Sequence, residues 1–230
     1  AVIIVHFGGL PCEMDNILKL TKKKKIELIE DSAETLGATW KKKYTGSFGI
    51  GCFSFFPTKN ITTCEGGMLT TNSMERYIEI KKLIAHGINK GKKKHFWNRE
   101  ADLAGHNYRL PNHLAGLGIS QFKQLLKFNK QRRMIAKKYD NFFKKLSDKF
   151  YVQKVNSNLT HSYQMYSILI NSKYRNTFLY YLKKNNIEAS AHFDPPLHQQ
   201  KYLKKYSKKL PNTEKLAKEI ITLPIYPRLK

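Results

Sequence analysis

The chain has 230 residues, of which 41% are hydrophobic and 12% aromatic, so it can bury a globular core. Lysine and arginine number 42 against 17 acidic residues, which gives a formal net charge of +25. No run approaches the roughly 20 apolar residues that a membrane helix needs, so no insertion into a membrane is predicted.

The hydrophobic spacing predicts alternating strands and helices in the first half of the chain. Strands are expected at residues 2–7, 26–30, 51–55 and 67–71, and helices at residues 14–24 and 74–86. Alternation of this kind is typical of an α/β fold, in which helices cover a sheet.

The second half of the chain predicts a smaller α+β domain. A lysine-rich connection at 87–102 precedes helical spacing from 111 to about 150, and six apolar side chains are available there for packing: Leu114, Leu117, Ile119, Phe122, Leu125 and Leu126. An apolar segment at 163–170, a helix at 173–185, a short strand near Ile187 and a helix at 213–221 follow. We therefore predict two domains, residues 1–100 and residues 101–230.

One lysine stands out from the many others by its surroundings. Lys59 lies in the run FSFFPTKNITTCEGG at 53–67, and Asp31 lies at a strand end in the run EDSAETLGA at 30–38. A pyridoxal phosphate enzyme needs an amine for its Schiff base and a carboxylate that keeps the pyridine nitrogen protonated. The pattern therefore predicts Lys59 as the Schiff-base nitrogen and Asp31 as the partner of the pyridine nitrogen.

Each of these features also has a simpler interpretation. Lys59 could be a solvated surface lysine, as most lysines are. Asp31 could cap the turn that follows its strand. Gly66 and Gly67 could serve only as the turn that leads into the next strand. The residues alone leave these alternatives open.

Four blocks together resemble the sugar aminotransferases of the DegT/DnrJ/StrS type. They are 30–38, 53–67, the run GHNYRL at 105–110, and HFDPPLH at 192–198 with LPIYP at 223–227. The resemblance covers essentially the whole chain and is strongest to the branch of perosamine synthases. It implies the fold of fold-type I pyridoxal phosphate enzymes, with the C-terminal part of a large mixed-sheet domain followed by a smaller α+β domain.

The resemblance also implies a role for each matching residue. Lys59 matches the lysine that forms the imine with the cofactor, and Asp31 matches the partner of the pyridine nitrogen. The other implied positions are Glu34 near the phenolic oxygen of the cofactor, Ser54 at the phosphate, Asn107 at the phosphate of the neighbouring subunit, and His192 and His198 on the sugar-nucleotide side. The role of Asn107 implies a homodimer with shared active sites.

The resemblance implies amino transfer from L-glutamate to a nucleotide-linked 4-keto-6-deoxy sugar, in amino-sugar and surface polysaccharide biosynthesis. The alternative is a catalytically silent or truncated relative with a regulatory or scaffolding role. The chain opens on the apolar run AVIIVHF, which aligns with the interior of the family's large domain. We therefore expect that an N-terminal part, with the phosphate-binding turn and an aromatic residue that stacks on the ring, precedes it.

The remaining composition predicts the setting of the protein. Lysines cluster at 22–25, 41–43, 90–94 and 204–209, and such clusters attract phosphate groups, but no nucleic-acid-binding motif accompanies them, so no specific nucleic acid is predicted. The three cysteines form no C-x-x-C pair, and His192 and His198 lack a metal-ligand spacing, so neither a disulfide framework nor a metal site is predicted. With no signal-peptide pattern, the expected location is cytoplasmic.

Overall fold

A computed structural model of the chain describes residues 1–88, 91, 95–146 and 148–229. The predicted lysine cluster at 90–94 therefore lies almost entirely outside the described residues. Among the helices of the described ranges, none is both long and apolar enough to cross a membrane.

The described residues form ten strands and six α-helices. The strands are β1 (Val2–Val5), β2 (Leu28–Asp31), β3 (Thr39–Trp40), β4 (Lys43–Tyr44), β5 (Ile50–Ser54), β6 (Gly67–Thr70), β7 (Phe150–Val152), β8 (Leu159–Thr160), β9 (Tyr166–Ile170) and β10 (Ile220–Leu223). The helices are α1 (Met14–Lys24), α2 (Met74–Leu83), α3 (Asn112–Phe122), α4 (Leu125–Phe143), α5 (Ser172–Lys184) and α6 (Pro211–Glu219). This mixture confirms the predicted α/β class.

The first sheet has the strand order β1-β2-β5-β6 and contains the four strands predicted for the first half. β1, β2 and β5 run parallel, and β6 pairs antiparallel with β5. The register places Asp31 between Val5 and Cys52. Because parallel strands end at the same edge, the residues after β1, β2 and β5 meet there, which is where open α/β sheets bind ligands.

The second sheet is antiparallel, in the order β10-β9-β7, and covers the largest hydrophobic core. The core is lined by α4, α5 and all three strands, with these buried side chains: Ala136, Phe143, Tyr166, Ile168, Ile170, Leu182, Ile221, Leu223 and Ile225. The helix predicted at 213–221 is too long, because α6 ends at Glu219 and Ile221 pairs with Ile168 in the sheet. The strand predicted near Ile187 is reduced to an isolated antiparallel bridge between Ser190 and Thr222. Ile187 itself follows the turn after α5 and donates its N–H to Leu182 O at 2.9 Å.

The third sheet joins the two halves of the chain. Its order is β4-β3-β8, and it pairs Trp40 with Leu159. None of these strands was predicted, because two residues carry too little periodicity to be recognised.

The helical spacing from 111 to about 150 corresponds to two helices, α3 and α4, followed by a 3-10 turn at Lys144–Leu146 and by β7. Of the six apolar residues expected to pack, Leu125 is buried against Phe55 and Ile61. Four of the others are exposed in this chain and so stay available for packing, with exposed fractions of 39% for Leu117, 61% for Ile119, 61% for Phe122 and 67% for Leu126.

Glu30 is a fully buried carboxylate that organises the first sheet. One of its oxygens accepts hydrogen bonds from His6 Nε2 at 3.1 Å and Gly46 N at 2.8 Å, and the other accepts from Phe48 N at 2.7 Å and Gly49 N at 2.8 Å. The N–H of Cys12 donates to His6 Nδ1 at 3.0 Å, so the proton of the neutral imidazole is on Nε2. Four hydrogen-bond donors thus stabilise the negative charge of Glu30, which is 0% exposed.

We predict that Glu30→Gln destabilises the protein by about 2 kcal/mol or more at neutral pH, because the amide nitrogen cannot accept the hydrogen bonds that one carboxylate oxygen accepts. The free energy of unfolding in urea measures this effect. Glu188→Gln is the matched control, since Glu188 is solvent-exposed. Equal stability of the two variants would contradict the role assigned to Glu30.

The difference in stability between the wild type and Glu30→Gln should depend on pH. Burial would raise the pKa of Glu30, but the hydrogen bonds from His6, Gly46, Gly49 and Phe48 lower it below its ordinary value of 4.5. A lowered pKa stabilises the folded protein at neutral pH, and this contribution is lost as the pH falls through the folded pKa. The stability gap between wild type and Glu30→Gln should therefore narrow between pH 7 and pH 3.

Candidate active site

Lys59 lies in the loop that connects β5 to β6, at the edge where the parallel strands end. The loop begins with a turn in which Lys59 N donates to Phe56 O at 3.0 Å. The Lys59 side chain is 16% exposed, and its Nζ lies 3.3 Å from Glu34 Oε1, whose side chain is equally buried. The amine is therefore directed inwards and paired, unlike a solvated surface lysine.

Glu34 links this amine to the turn that follows β1. Its other oxygen, Oε2, accepts the N–H of Gly8 at 2.7 Å. Gly8 belongs to the 3-10 turn Phe7–Gly9, which begins directly after the buried His6. Three chain segments that are distant in sequence thus meet at one carboxylate.

Asp31 and Ser54 lie on the same face of the first sheet. Asp31 pairs with Cys52, and because side chains alternate along a strand, Ser54 shares the face of Cys52. Asp31 Oδ1 accepts the N–H of Ala33 at 3.1 Å, so the interpretation of Asp31 as a turn cap also has support. Ser54 Oγ accepts the N–H of Phe56 at 3.3 Å.

The other predicted site residues make their contacts with other partners. Asn107 is exposed and forms an isolated bridge with Ala85. His192 Nδ1 lies 3.1 Å from Ser190 Oγ, and His198 Nε2 lies 3.3 Å from Glu214 Oε1 at the start of α6. Within the described ranges, no hydrogen bond joins any of these three residues to Lys59, Asp31, Glu34 or Ser54.

Sequence reasoning missed two participants in the site. The Gly8 amide fixes Glu34, and the pair Gly8-Gly9 directly after the predicted strand at 2–7 is a signal that could have predicted a special turn. Ser162 contacts the backbone of both Gly9 and Glu34. No local signal marks Ser162, because its contacts depend on residues more than 100 positions away.

Comparisons with known proteins identify the family. The model of the DegT/DnrJ/EryC1/StrS aminotransferase family matches residues 1–230. The chain belongs to this family. It is 36% identical to GDP-perosamine synthase of Escherichia coli, over 100% of the chain and 61% of that protein. It is 39% identical to an uncharacterized protein of Methanocaldococcus jannaschii, over 100% of the chain and 62% of that protein.

A solved structure gives the same result for the fold. The structure of Helicobacter pylori PseC, an aminotransferase involved in the biosynthesis of pseudoaminic acid, has a TM-score of 0.92 with 30% identity, over 100% of this chain and 62% of that one. The chain thus spans about three fifths of the length of these relatives.

The residues fit the cofactor that members of this family use, pyridoxal phosphate. The cluster combines a partly buried primary amine, a carboxylate at the end of a parallel strand, and a hydroxyl on the same sheet face. These groups suit an aldehyde, a pyridine nitrogen and a phosphate respectively. Across the described part of the chain, no group of three or more His, Cys, Asp or Glu side chains could hold a metal ion.

We predict that Gly9→Ala destabilises the protein by about 2 kcal/mol more than Gly8→Ala. Both glycines have positive φ values, 65° for Gly8 and 104° for Gly9. A Cβ on Gly9 would lie 2.7 Å from Ser162 Oγ and 2.8 Å from Gln164 N, whereas a Cβ on Gly8 meets only Met165 at 3.9 Å. Urea unfolding of both variants measures the difference, and equal losses would show that the turn does not contact residues 162–164 this closely.

Proposed function

We propose that this chain carries the cofactor site of an aminotransferase that moves an amino group from L-glutamate to a nucleotide-linked 4-keto-6-deoxy sugar, for amino-sugar and surface polysaccharide biosynthesis. One observation carries the proposal: the partly buried contact of 3.3 Å between Lys59 Nζ and Glu34, in the turns that follow β2 and β5, which end at Asp31 and Ser54. The similarity to GDP-perosamine synthase and to PseC supports a sugar nucleotide as substrate. We also propose the boundary near residue 100 and a cytoplasmic location.

The proposed roles follow from the chemistry of each side chain. Lys59 binds the cofactor aldehyde, Asp31 holds the pyridine nitrogen protonated, and Ser54 donates to the phosphate. When bound, pyridoxal phosphate accepts the electron pair that is released as a proton leaves the substrate carbon. Glu34 orients the cofactor on its phenolic side, and its contact with Lys59 keeps the amine directed into the site.

Lys59 also moves the proton in both halves of the reaction. Its free amine removes the proton from the α-carbon of glutamate, and it later returns a proton to the sugar carbon that receives the amino group. A side chain that is only 16% exposed suits this role, because water competes less for the proton in such a setting.

We assign His192 and His198 to the sugar-nucleotide side of the site. His192 precedes Phe193, whose ring centroid lies 6.1 Å from that of Phe7, in the turn that holds Glu34. The imidazole N–H groups can donate to phosphate and hydroxyl oxygens. The net charge of +25 further favours the approach of a diphosphate sugar and of glutamate.

The first test is the fate of Lys59 in the whole protein with pyridoxal phosphate. Because borohydride reduces an imine to a stable secondary amine, the wild-type protein should lose its visible absorbance on reduction and carry the cofactor on Lys59 in peptide mapping. Lys59→Ala should show neither the adduct nor turnover. The control Lys23→Ala should keep both, since Lys23 is exposed on α1.

Two results would contradict this assignment. An adduct on another lysine would remove Lys59 from its role. A protein without any reducible adduct would favour the catalytically silent relative over the enzyme.

We further propose a homodimer in which Asn107 reaches the cofactor phosphate of the neighbouring subunit. Two inactive chains, Lys59→Ala and Asn107→Ala, should then regenerate activity when they are co-expressed, because one of the two sites in a mixed dimer holds both intact residues. Amino transfer to a keto-sugar nucleotide is the readout, and mass spectrometry confirms the mixed dimer. Activity no higher than that of either variant alone would argue against a shared site.

A further inference from the structure

Ser162 joins three segments of the candidate active site. Its side chain is 0% exposed. Its hydroxyl lies 3.0 Å from Glu34 O and 3.3 Å from Gly9 O, its N–H donates to Gly9 O at 3.0 Å, and its carbonyl accepts from Asn60 Nδ2 at 2.9 Å. One residue thus connects the turn after β1, the turn after β2 and the loop that carries Lys59.

The residues that follow Ser162 extend the same contacts. Gln164 Nε2 donates to Thr58 O at 3.2 Å, and the N–H of Met165 donates to Gly8 O at 3.0 Å. Lys59 is therefore held on both sides, through the carbonyl of Thr58 and the side chain of Asn60.

Asn129 of α4 extends these hydrogen bonds. Asn60 Nδ2 donates to Asn129 Oδ1 at 2.6 Å, and Asn129 Nδ2 donates to Leu36 O at 2.9 Å. Asn60 and Asn129 are 5% and 1% exposed, so these bonds form away from water. A buried, connected network of this kind fixes one geometry, because each polar group that loses its partner is costly.

The loop that carries Lys59 needs such support. Phe56, Pro57 and Thr58 are exposed, and their turn closes with the backbone hydrogen bond from Lys59 N to Phe56 O. Ordering exposed backbone costs conformational entropy, which must be offset by bonds from outside the loop. The contacts from Ser162 and Gln164 come from positions 102 and 106 residues away from their partners in this loop.

We propose that Ser162 is a positioning residue that holds Glu34 and the Lys59 loop in the geometry needed for imine formation, with Gln164 as its auxiliary on the Thr58 side. The importance of that geometry for catalysis rests on the proposed function. The positioning itself is a property of the polypeptide and is testable without the cofactor.

The test measures how fast acetic anhydride in trace amounts acetylates Lys59 in the folded whole protein before cofactor is added, relative to the exposed Lys23, by mass spectrometry. In the wild type Lys59 should react more slowly than Lys23, because it is paired and largely buried. Ser162→Ala keeps the backbone bonds to Gly9 and Asn60 and removes the hydroxyl that contacts Glu34 O and Gly9 O. Because Glu34 pairs with Lys59, this loss should raise the relative rate at Lys59 by on the order of fivefold, the equivalent of one lost hydrogen bond. The apparent affinity for pyridoxal phosphate should fall by a similar factor.

The matched control is Ser167→Ala. Ser167 Oγ lies 3.3 Å from Thr222 Oγ1 in the second sheet, so this change also removes one part-buried hydroxyl contact from the same half of the chain. It should lower the stability of the protein to a similar extent and leave the acetylation of Lys59 at the wild-type ratio. A general loss of stability would change the acetylation ratio of Lys59 equally in both variants.

The outcomes separate the two proposals. If Ser162→Ala and Ser167→Ala give the same Lys59 ratio, the positioning role is overturned, whether or not the wild type forms an adduct with pyridoxal phosphate. If only Ser162→Ala raises the ratio, the positioning role is supported, even if the wild type forms no adduct and the proposed function fails. Should Ser162→Ala not fold, Ser162→Cys decides by the same criterion, since it keeps a small side chain at the buried position and replaces the hydroxyl by a weak donor.

Discussion

The buried carboxylate of Glu30 is the interaction on which the rest of the site depends. It stands in the middle of the parallel sheet at 0% exposure, and its four hydrogen bonds fix His6 at the end of β1 and the turn before β5. The 3-10 turn Phe7–Gly9 starts directly after His6, so the position of the Gly8 amide depends on the buried charge of Glu30. The position of Glu34 depends on it as well, because Glu34 accepts the hydrogen bond from that amide. An uncompensated carboxylate there would be costly, so the four donors are held as one unit.

The candidate active site combines groups that differ in how they are held. Asp31 and Ser54 belong to strands, so the register of the sheet fixes their shared face. Lys59 and Glu34 lie in turns, and their contact depends on bonds from Ser162 and Gln164 in the second half of the chain. Sites on rigid strands are more precise than sites on loops, so the position of Lys59 depends on hydrogen bonds that reach its loop from outside.

One face of the first sheet is only partly covered in this chain. Ile3 and Val5 share the face of Asp31, and they are 66% and 50% exposed, while four apolar side chains of α3 and α4 are also open to solvent. Parallel sheets in α/β proteins have both faces covered. The spacing of 111–126 predicted six apolar side chains that are available for packing. Such spacing indicates only that a face is apolar, not that the face is buried within the same polypeptide.

The sequence by itself determined the local elements and the family. Periodicity predicted α1 at its observed bounds and the four strands of the first sheet to within a few residues, and the string around Lys59 distinguished this lysine from the many others. Only the tertiary structure decided which groups touch. These contacts are the pairing of Glu34 with Lys59, the hydrogen bond from the Gly8 amide to Glu34, and the hydroxyl contacts of Ser162 with Gly9 and Glu34. The reason is physical. Helical and strand periods are local properties of a few residues, whereas these bonds join positions 25 to 153 residues apart, and their partners are selected by the packing of the whole chain.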